Sequence, residues 1–404
     1  MIIKREPISL IEYVKHKEPK HRISDADGEK LWLHYNNQIQ VGIPSFQNDH
    51  QWVLTSQGYI GFIPVSEDLS ISISPKTPIQ NLFGMWEYAY RLKDINFLGG
   101  LFESQSLQEF YSELANILAK RVIDRSRKGY YRAYLSRTED LSFLKGRVDI
   151  RRMISAPWIV RPRCLYQEHT ADIDDNQILA WTLYAILRSG FCEDRVLPSI
   201  RNAYRNLAHF VTLSPFQPGN CIGRFYNRLN LDYEPLHALS RFFLENSGPS
   251  FEHGDRKMLP FLVNMAQLFE LFVAEWLKIH LPDEYDLKTQ ESVDIDEAGN
   301  INLRIDLVLY LKHTGQPICV LDTKYKTPEK PSQDDIAQAN LYADVIGCKQ
   351  AILIYPEKIS RPMDQVVGGI RIQTATFNIG GDIEEGGKEF LDEILEDRII
   401  ANYA

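Results

Sequence analysis

The sequence predicts an α+β protein of several domains: a β-rich N-terminal domain, a mostly helical basic middle, and a C-terminal α/β domain. Three observations carry that prediction. At 404 residues the chain is longer than one hydrophobic core ordinarily serves, so two or three domains are expected. Short apolar runs separated by turns fill the first hundred residues, and helical periodicities dominate from about Ser106 onward. Beyond residue 300 the pattern changes again, to two strongly apolar, β-branched runs with helices on either side. The expected boundaries are 1–100, 101–255 and 256–404.

In the first domain Leu31–Tyr35, Gln51–Thr55, Tyr59–Pro64 and Ser70–Ser74 read as short strands of a small sheet or barrel. In the middle, helices are expected over Ser106–Arg127, Gln177–Ser189, Leu197–Val211 and Pro235–Glu245. Pro215–Gly223 and Ser247–Asp255 are the loop-like breaks, and the second marks the boundary to the last domain. There, Leu259–His280 reads as one long helix, with Leu262, Met265, Phe269, Phe272, Val273 and Trp276 at helical spacing. Ala351–Tyr355 supplies a buried strand. The acidic tail from Asp382 to Asp397 reads as an amphipathic helix that packs Phe390, Ile394 and Leu395 inward.

The chemistry-bearing stretch is Arg304-Ile-Asp306-Leu-Val-Leu-Tyr310, a turn at His313–Pro317, then Cys319-Val-Leu-Asp322-Thr-Lys324-Tyr-Lys326. The two runs read as neighbouring strands. Alternate residues of a strand share a face, so Asp322 and Lys324 project together. A carboxylate in a strand covered by helices must be paired, protonated or bound to metal. Two carboxylates and an ammonium on one face is how a hard divalent cation and an attacking water are brought to a phosphodiester. Glu270 lies beside the apolar stripe of the preceding helix, within reach of that face. Downstream, Pro331 and Ser332 precede a helix whose first turn holds Asp334 and Asp335. Gln338 and Tyr342, four apart, stack on one face of it.

Composition sets limits. Hydrophobic residues are 44% and charged residues 25%, ordinary for a globular protein. No apolar run approaches the roughly twenty residues needed to span a bilayer, and Met1-Ile-Ile-Lys-Arg-Glu-Pro7 has no signal-peptide core. Five scattered cysteines, none in C-x-x-C spacing, are expected to be reduced, in a cytoplasmic protein without a zinc site. There is no G-x-x-x-x-G-K-[ST], and the pairs Gly99-Gly100, Gly368-Gly369, Gly380-Gly381 and Gly386-Gly387 sit in no phosphate cradle. The chain is not itself a nucleotide-driven motor.

Charge is unevenly divided. The net value is −9, and residues 256–404 carry 15 basic against 25 acidic side chains. A region this acidic does not hold DNA tightly unaided, because phosphate contacts dominate such affinity. A partner is expected to deliver the substrate. From Lys120 to Arg163, by contrast, 13 basic residues meet 4 acidic ones, with Tyr130, Tyr131 and Tyr134 interleaved. That composition suits a phosphate backbone or an acidic protein partner.

The order carboxylate, D-x-K, Gln-x-x-x-Tyr helix resembles the PD-(D/E)xK nucleases, and the helix resembles that of their RecB-type members. Ile305 stands where the superfamily name has proline, a position that contributes no ligand. More of the chain resembles one family, McrC, the nuclease subunit of McrBC modification-dependent restriction systems. Met265-Ala-Gln-Leu-Phe269-Glu270-Leu-Phe-Val273, Leu144-Lys-Gly146-Arg147-Val-Asp149, Asp172-Ile-Asp-Asp175-Asn176-Gln-Ile-Leu179 and Ile71-Ser-Ile-Ser-Pro75-Lys76 carry that likeness. It implies a restriction-endonuclease-like C-terminal domain cutting double-stranded DNA, dependent on 5-methylcytosine. It also implies Mg²⁺, with Mn²⁺ as a substitute, and a McrB-like AAA+ GTPase hexamer as partner. The metal is then expected on Asp306, Asp322, the Thr323 carbonyl and Glu270, with Lys324 at the attacking water. Gln338 and Tyr342 are expected to hold the lysine and a phosphate. Arg147 and Lys145 are the expected points of coupling to the GTPase ring, and a second nuclease subunit is expected during cutting. Two other readings stay open: a RecB-like repair nuclease working with a helicase, and a non-catalytic activator of the ring.

Overall fold

The computed structural model describes residues 6–66, 68–91, 106–156, 158–247, 251–253, 256–258, 260–294 and 302–395. The expected boundary at residue 100, the Gly99-Gly100 pair, Leu259 and the last two residues of the tail segment, 396–397, lie outside them. By packing, the chain forms two compact units. Met1–Leu107 and Pro260–Ala404 make the first, and Gln108–Leu259 the second.

The N-terminal segment contains β1 (Ile8–Ile11), β2 (His16–Glu18), α1 (Asp25–Tyr35), β3 (Ile39–Gly42), β4 (Trp52–Ser56), β5 (Tyr59–Pro64), β6 (Ser70–Ser74) and α2 (Ile79–Ala89). Leu31–Tyr35, expected as a strand, is the end of α1. The Ser24 side chain accepts from the Asp27 amide and caps that helix, and Asp25 and Asp27 fill its first turn, signals that outweigh a short apolar run. The other three expected strands are present as β4, β5 and β6. They belong to two sheets, ordered β2-β4-β3 and β1-β6-β5 with a fourth strand added from far along the chain.

The second unit contains α3 (Leu107–Lys128), β7 (Ala133–Asp140), β8 (Arg147–Val148), α4 (Ile150–Ser155), β9 (Arg163–Thr170), α5 (Asp174–Ser189), α6 (Leu197–Ala208), α7 (Glu234–Glu245) and a small pair, β10 (Phe251–His253) with β11 (Arg256–Met258). The four expected helices are there, with α6 ending three residues early. The antiparallel sheet β7-β9-β8 was not expected. Only Cys164 is buried on these three strands, so they lack the apolar alternation that announces a half-buried strand. Asn176, in the acidic-Asn-x-x-Leu motif, is fully buried. It donates to the Tyr131 and Ala171 carbonyls at 2.9 and 2.7 Å and accepts from Tyr233 Oη at 2.6 Å, which makes that motif a structural brace.

The chain returns to the first unit through β12 (Phe261–Asn264), then α8 (Met265–His280). The long helix expected from residue 259 therefore begins late. Phe261, Leu262 and Val263 pair with Phe62, Gly61 and Ile60 to complete the N-terminal sheet, and Asn264 caps α8 by accepting from Ala266 and Gln267. Gly61, at φ +132°, is required at this joint, because a Cβ there would collide with the Phe261 carbonyl. There follow β13 (Tyr285–Asp294), β14 (Asn302–Leu311), β15 (Gln316–Thr323), α9 (Gln333–Ile346), β16 (Gln350–Tyr355), β17 (Asp364–Val367), β18 (Ile370–Thr376) and α10 (Ile383–Leu395). Six strands form one sheet, β13-β14-β15-β16-β18-β17. Strands β13, β14 and β15 are antiparallel neighbours, whereas β15, β16 and β18 run parallel. Its central strands are almost wholly buried, with α8 and α9 both packed on β15. Phe390 and Ile394 of α10 are buried as expected.

Candidate active site

Pairing Leu307 with Leu321 across β14 and β15 sets Asp306 opposite Asp322 at the next rung. Their carboxylates approach closely enough for each to act on the other's titration. Asp322 is 1% exposed. Lys324, beyond the end of β15, is held by its amide, which donates to the Ile354 carbonyl at 2.8 Å. Its Nζ lies 2.8 Å from Asp322 Oδ2 and donates to Gln338 Oε1 at 2.9 Å. Gln338 Nε2 in turn donates to Tyr342 Oη at 2.7 Å. Helix α9 presents both from one face because its N-cap, Ser332, and Asp335 form a capping box.

Burial dominates the electrostatics. It pushes the Asp322 carboxyl up to about 7, helped by Asp306 and opposed by Lys324. Asp306 is raised too, by burial, against the pull of Lys324. Neither Asp322 oxygen receives a well-aligned hydrogen bond. A buried carboxylate facing another carboxylate, with oxygens left over, is a donor set for a hard cation. Among the described residues no group of three or more His, Cys, Asp or Glu forms a ready-made cage. Two carboxylates with the remainder left to water and phosphate is the way Mg²⁺ is commonly held, so the residues fit that ion.

Glu270 on α8 is raised by burial and by Asp306, which puts it in the field of the site. Its partner is one that sequence reasoning missed. Gln290 Nε2 donates to Glu270 Oε1 at 3.3 Å, and Arg304 donates to Gln290 Oε1. Gln290 occupies the rung of β13 opposite Asp306, where the regular pairing of Thr289 with Leu307 and Glu291 with Ile305 is interrupted. Its φ of +53° is strained for a side-chain-bearing residue. The site thus gathers Asp306, Asp322, Lys324, Gln338 and Tyr342, with Glu270 and Gln290 at its edge and Thr323 next to Asp322.

Arg147 and Lys145 lie in the second unit, away in sequence from these residues. Arg147 is exposed on β8, and Lys145 Nζ sits 3.9 Å above the Tyr166 ring. Gly146 between them is left-handed, at φ +66°, and a Cβ there would strike the Leu165 carbonyl. Around this turn Phe143, Leu144, Ile150, Ile154, Trp158 (76% exposed) and Val160 (93%) are open to solvent.

Fold and site together define a mixed α+β protein of several sheets with a buried centre of two carboxylates and one lysine. A family model described as McrBC 5-methylcytosine restriction system component matches residues 54–356, and the chain belongs to that family. It is 23% identical over 266 residues to the type IV methyl-directed restriction enzyme EcoKMcrBC of Escherichia coli (strain K12), covering 62% of this chain and 74% of that one. Among solved structures, the McrC-bound McrB AAA+ hexamer assembly of Thermococcus gammatolerans contains a chain with TM-score 0.55 and 17% identity. The match covers 96% of this chain and 100% of that one, a likeness of fold.

Proposed function

We propose that this chain is the DNA endonuclease subunit of a 5-methylcytosine-dependent restriction complex, with a PD-(D/E)xK centre that works with Mg²⁺ or Mn²⁺. The observation that carries the reading is the convergence of Asp306, Asp322, Lys324, Gln338 and Tyr342 on one site, with the Asp322 carboxylate buried and ion-paired to Lys324. Asp306, Asp322 and the Thr323 carbonyl would hold the ion, with Glu270 reaching it directly or through water. When bound, such an ion acidifies an attacking water and offsets charge growing on the phosphate. Lys324 orients that water and adds positive charge where negative charge develops. Gln338, fixed by Tyr342, keeps the Lys324 ammonium aimed at the reacting phosphate. One such site cuts one strand, so a double-strand break takes two subunits.

The partner is a McrB-like AAA+ GTPase hexamer. The relative in Thermococcus gammatolerans is seen with McrB hexamers, and the exposed apolar turn around Arg147 supplies a surface for such a ring. Arg147, beside the left-handed Gly146 and near Lys145, would stabilise charge during GTP hydrolysis. With its five cysteines free and buried, the chain suits a reducing cytoplasm.

The deciding experiment is cleavage of methylated and unmethylated plasmid by this chain, with and without its AAA+ partner, GTP and Mg²⁺. Cutting that needs all three and disappears in Lys324→Ala establishes the reading. Cutting by the chain alone moves it to a RecB-like repair nuclease. Stimulated GTP hydrolysis without any cutting leaves a non-catalytic activator.

A further inference from the structure

The segment Pro75-Lys76 that follows β6 has no part in the chemistry above, yet it lies at a cavity of about 340 Å³ in the first unit. Tyr13, Lys76 and Thr77 line it from the N-terminal segment, and Tyr325, Lys326 and Thr327 from the chain just after Lys324. Glu12, Pro328, and Pro356 and Glu357, which follow β16, complete the wall. The cavity therefore opens at the carboxyl ends of two parallel strands, β15 and β16, where ligands of α/β sheets gather. Two residues of chain span at most about 7 Å, so Lys326 lies close to Lys324, within about two nucleotide rises of a DNA strand.

The lining combines apolar surface with polar groups that tie its segments together. Tyr325 Oη contacts Thr77 Oγ1 at 3.2 Å and donates to Glu12 Oε2 at 3.3 Å, fastening the two segments together. Tyr13 is held at φ +60°, a strained conformation for a tyrosine. Lys326 is paired with Asp335 at 2.7 Å. Lys76 holds its ammonium 5.4 Å over the Tyr13 ring, in the field of the Glu12 carboxyl. Glu12 is buried at the same wall, its carboxyl raised by that burial against the pull of Lys76 and Tyr325. Lysines, hydroxyls and aromatic rings are the groups that hold nucleic-acid phosphates and bases.

We infer that this cavity takes one nucleotide of the DNA strand being cut, its backbone phosphate held by Lys76 and Thr77 beside the cleaved phosphate. The inference rests on the nuclease reading above and assigns a part of the substrate site to the N-terminal segment. The ligand chemistry, a phosphate diester, is that of DNA; free GTP is the competing source.

The test compares wild type with Lys76→Ala, Lys76→Gln and Lys76→Arg, each complexed with the AAA+ partner, cutting modified plasmid with GTP and Mg²⁺. The Ala and Gln variants are expected to raise KM for DNA about three- to tenfold, with kcat within about twofold. The salt dependence of kcat/KM should become shallower by about 0.9 in log–log slope, and Lys76→Arg should restore it. Unchanged KM and slope overturn the subsite. Melting temperature and GTPase stimulation guard against misfolding, and if Lys76→Ala is unstable the Gln–Arg pair decides. Should wild type cut no DNA, the nuclease reading fails separately. Anisotropy of a short labelled single-stranded oligonucleotide at low salt then tests the subsite. Affinity lost in Lys76→Ala supports it, whereas equal affinity, no binding, or displacement by GTP overturns it.

Discussion

Lys324 Nζ stands 2.8 Å from Asp322 Oδ2, an ion pair between a residue of β15 and one just past its end, with Asp322 shut off from solvent. The lysine is therefore the charge that makes a buried carboxylate tolerable before any cation arrives. Removing it leaves Asp322 without its opposite charge, which drives the carboxyl further towards its protonated form. Lys324→Ala should lower kcat at least about a hundredfold, as should Asp322→Ala. In both variants association with the GTPase ring and stimulation of its hydrolysis should match wild type. Plasmid cleavage beside a GTPase assay separates the two, and cutting that survives both changes would remove this site from the mechanism.

The same burial makes stability depend on pH. The unfolded chain releases the Asp322 proton near the ordinary value of 3.8, whereas the fold keeps it to about 7. Between those values the unfolded state binds fewer protons at this group, so the contribution of Asp322 to stability falls as pH rises and levels off above about 7. Asp322→Asn should therefore melt higher than wild type at pH 8 without divalent ions and close to it at pH 4. Mg²⁺ should stabilise wild type more at pH 8 than at pH 5, where a proton must first be displaced. Thermal melts of both proteins across pH, with and without Mg²⁺, measure these effects; a melting-temperature difference between wild type and Asp322→Asn that stays the same from pH 4 to pH 8 would contradict them.

Gln290 separates what was legible in the sequence from what was not. Asp322 and Lys324 announce themselves because strand alternation fixes their common face, and the four-residue spacing of Gln338 and Tyr342 does the same on a helix. Gln290 reaches Glu270 only through the register of β13 against β14 and a positive φ. Neither leaves a trace in local composition. The same holds for β12, whose strand state is set by pairing with Gly61, some two hundred residues earlier. The sheet β7-β9-β8 escaped notice for a different reason, since exposed strands carry no hydrophobic period.

That geometry makes an unusual pair of expectations for one position. Gln290→Gly removes the left-handed penalty, worth roughly 1 kcal/mol, and should keep or raise the melting temperature. It also removes the side chain that joins Arg304 to Glu270, so the Mg²⁺ concentration for half-maximal cleavage should rise. Gln290→Ala keeps the strain and loses the tether, and should be the less stable of the two. A glycine variant with wild-type Mg²⁺ dependence would mean that the bend in β13 is architectural alone.

The turn at Gly146 tests coupling to the ring independently of the cutting site. Its left-handed backbone and the Leu165 carbonyl behind it leave no space for a Cβ, so Gly146→Ala should displace both Lys145 and Arg147. Arg147→Ala leaves the turn intact and removes only the guanidinium. If Arg147 supplies charge to GTP hydrolysis, Arg147→Ala should bind the ring with near wild-type affinity while stimulation falls tenfold or more, on the order of the smaller effects of such arginines. Trp158→Asp, which puts a charge on the exposed apolar surface, should instead weaken association itself. Titrating each variant against the partner's GTPase rate distinguishes a lower plateau from a shifted midpoint. An Arg147→Ala curve with a full plateau and a shifted midpoint would make Arg147 a docking contact rather than a participant in hydrolysis.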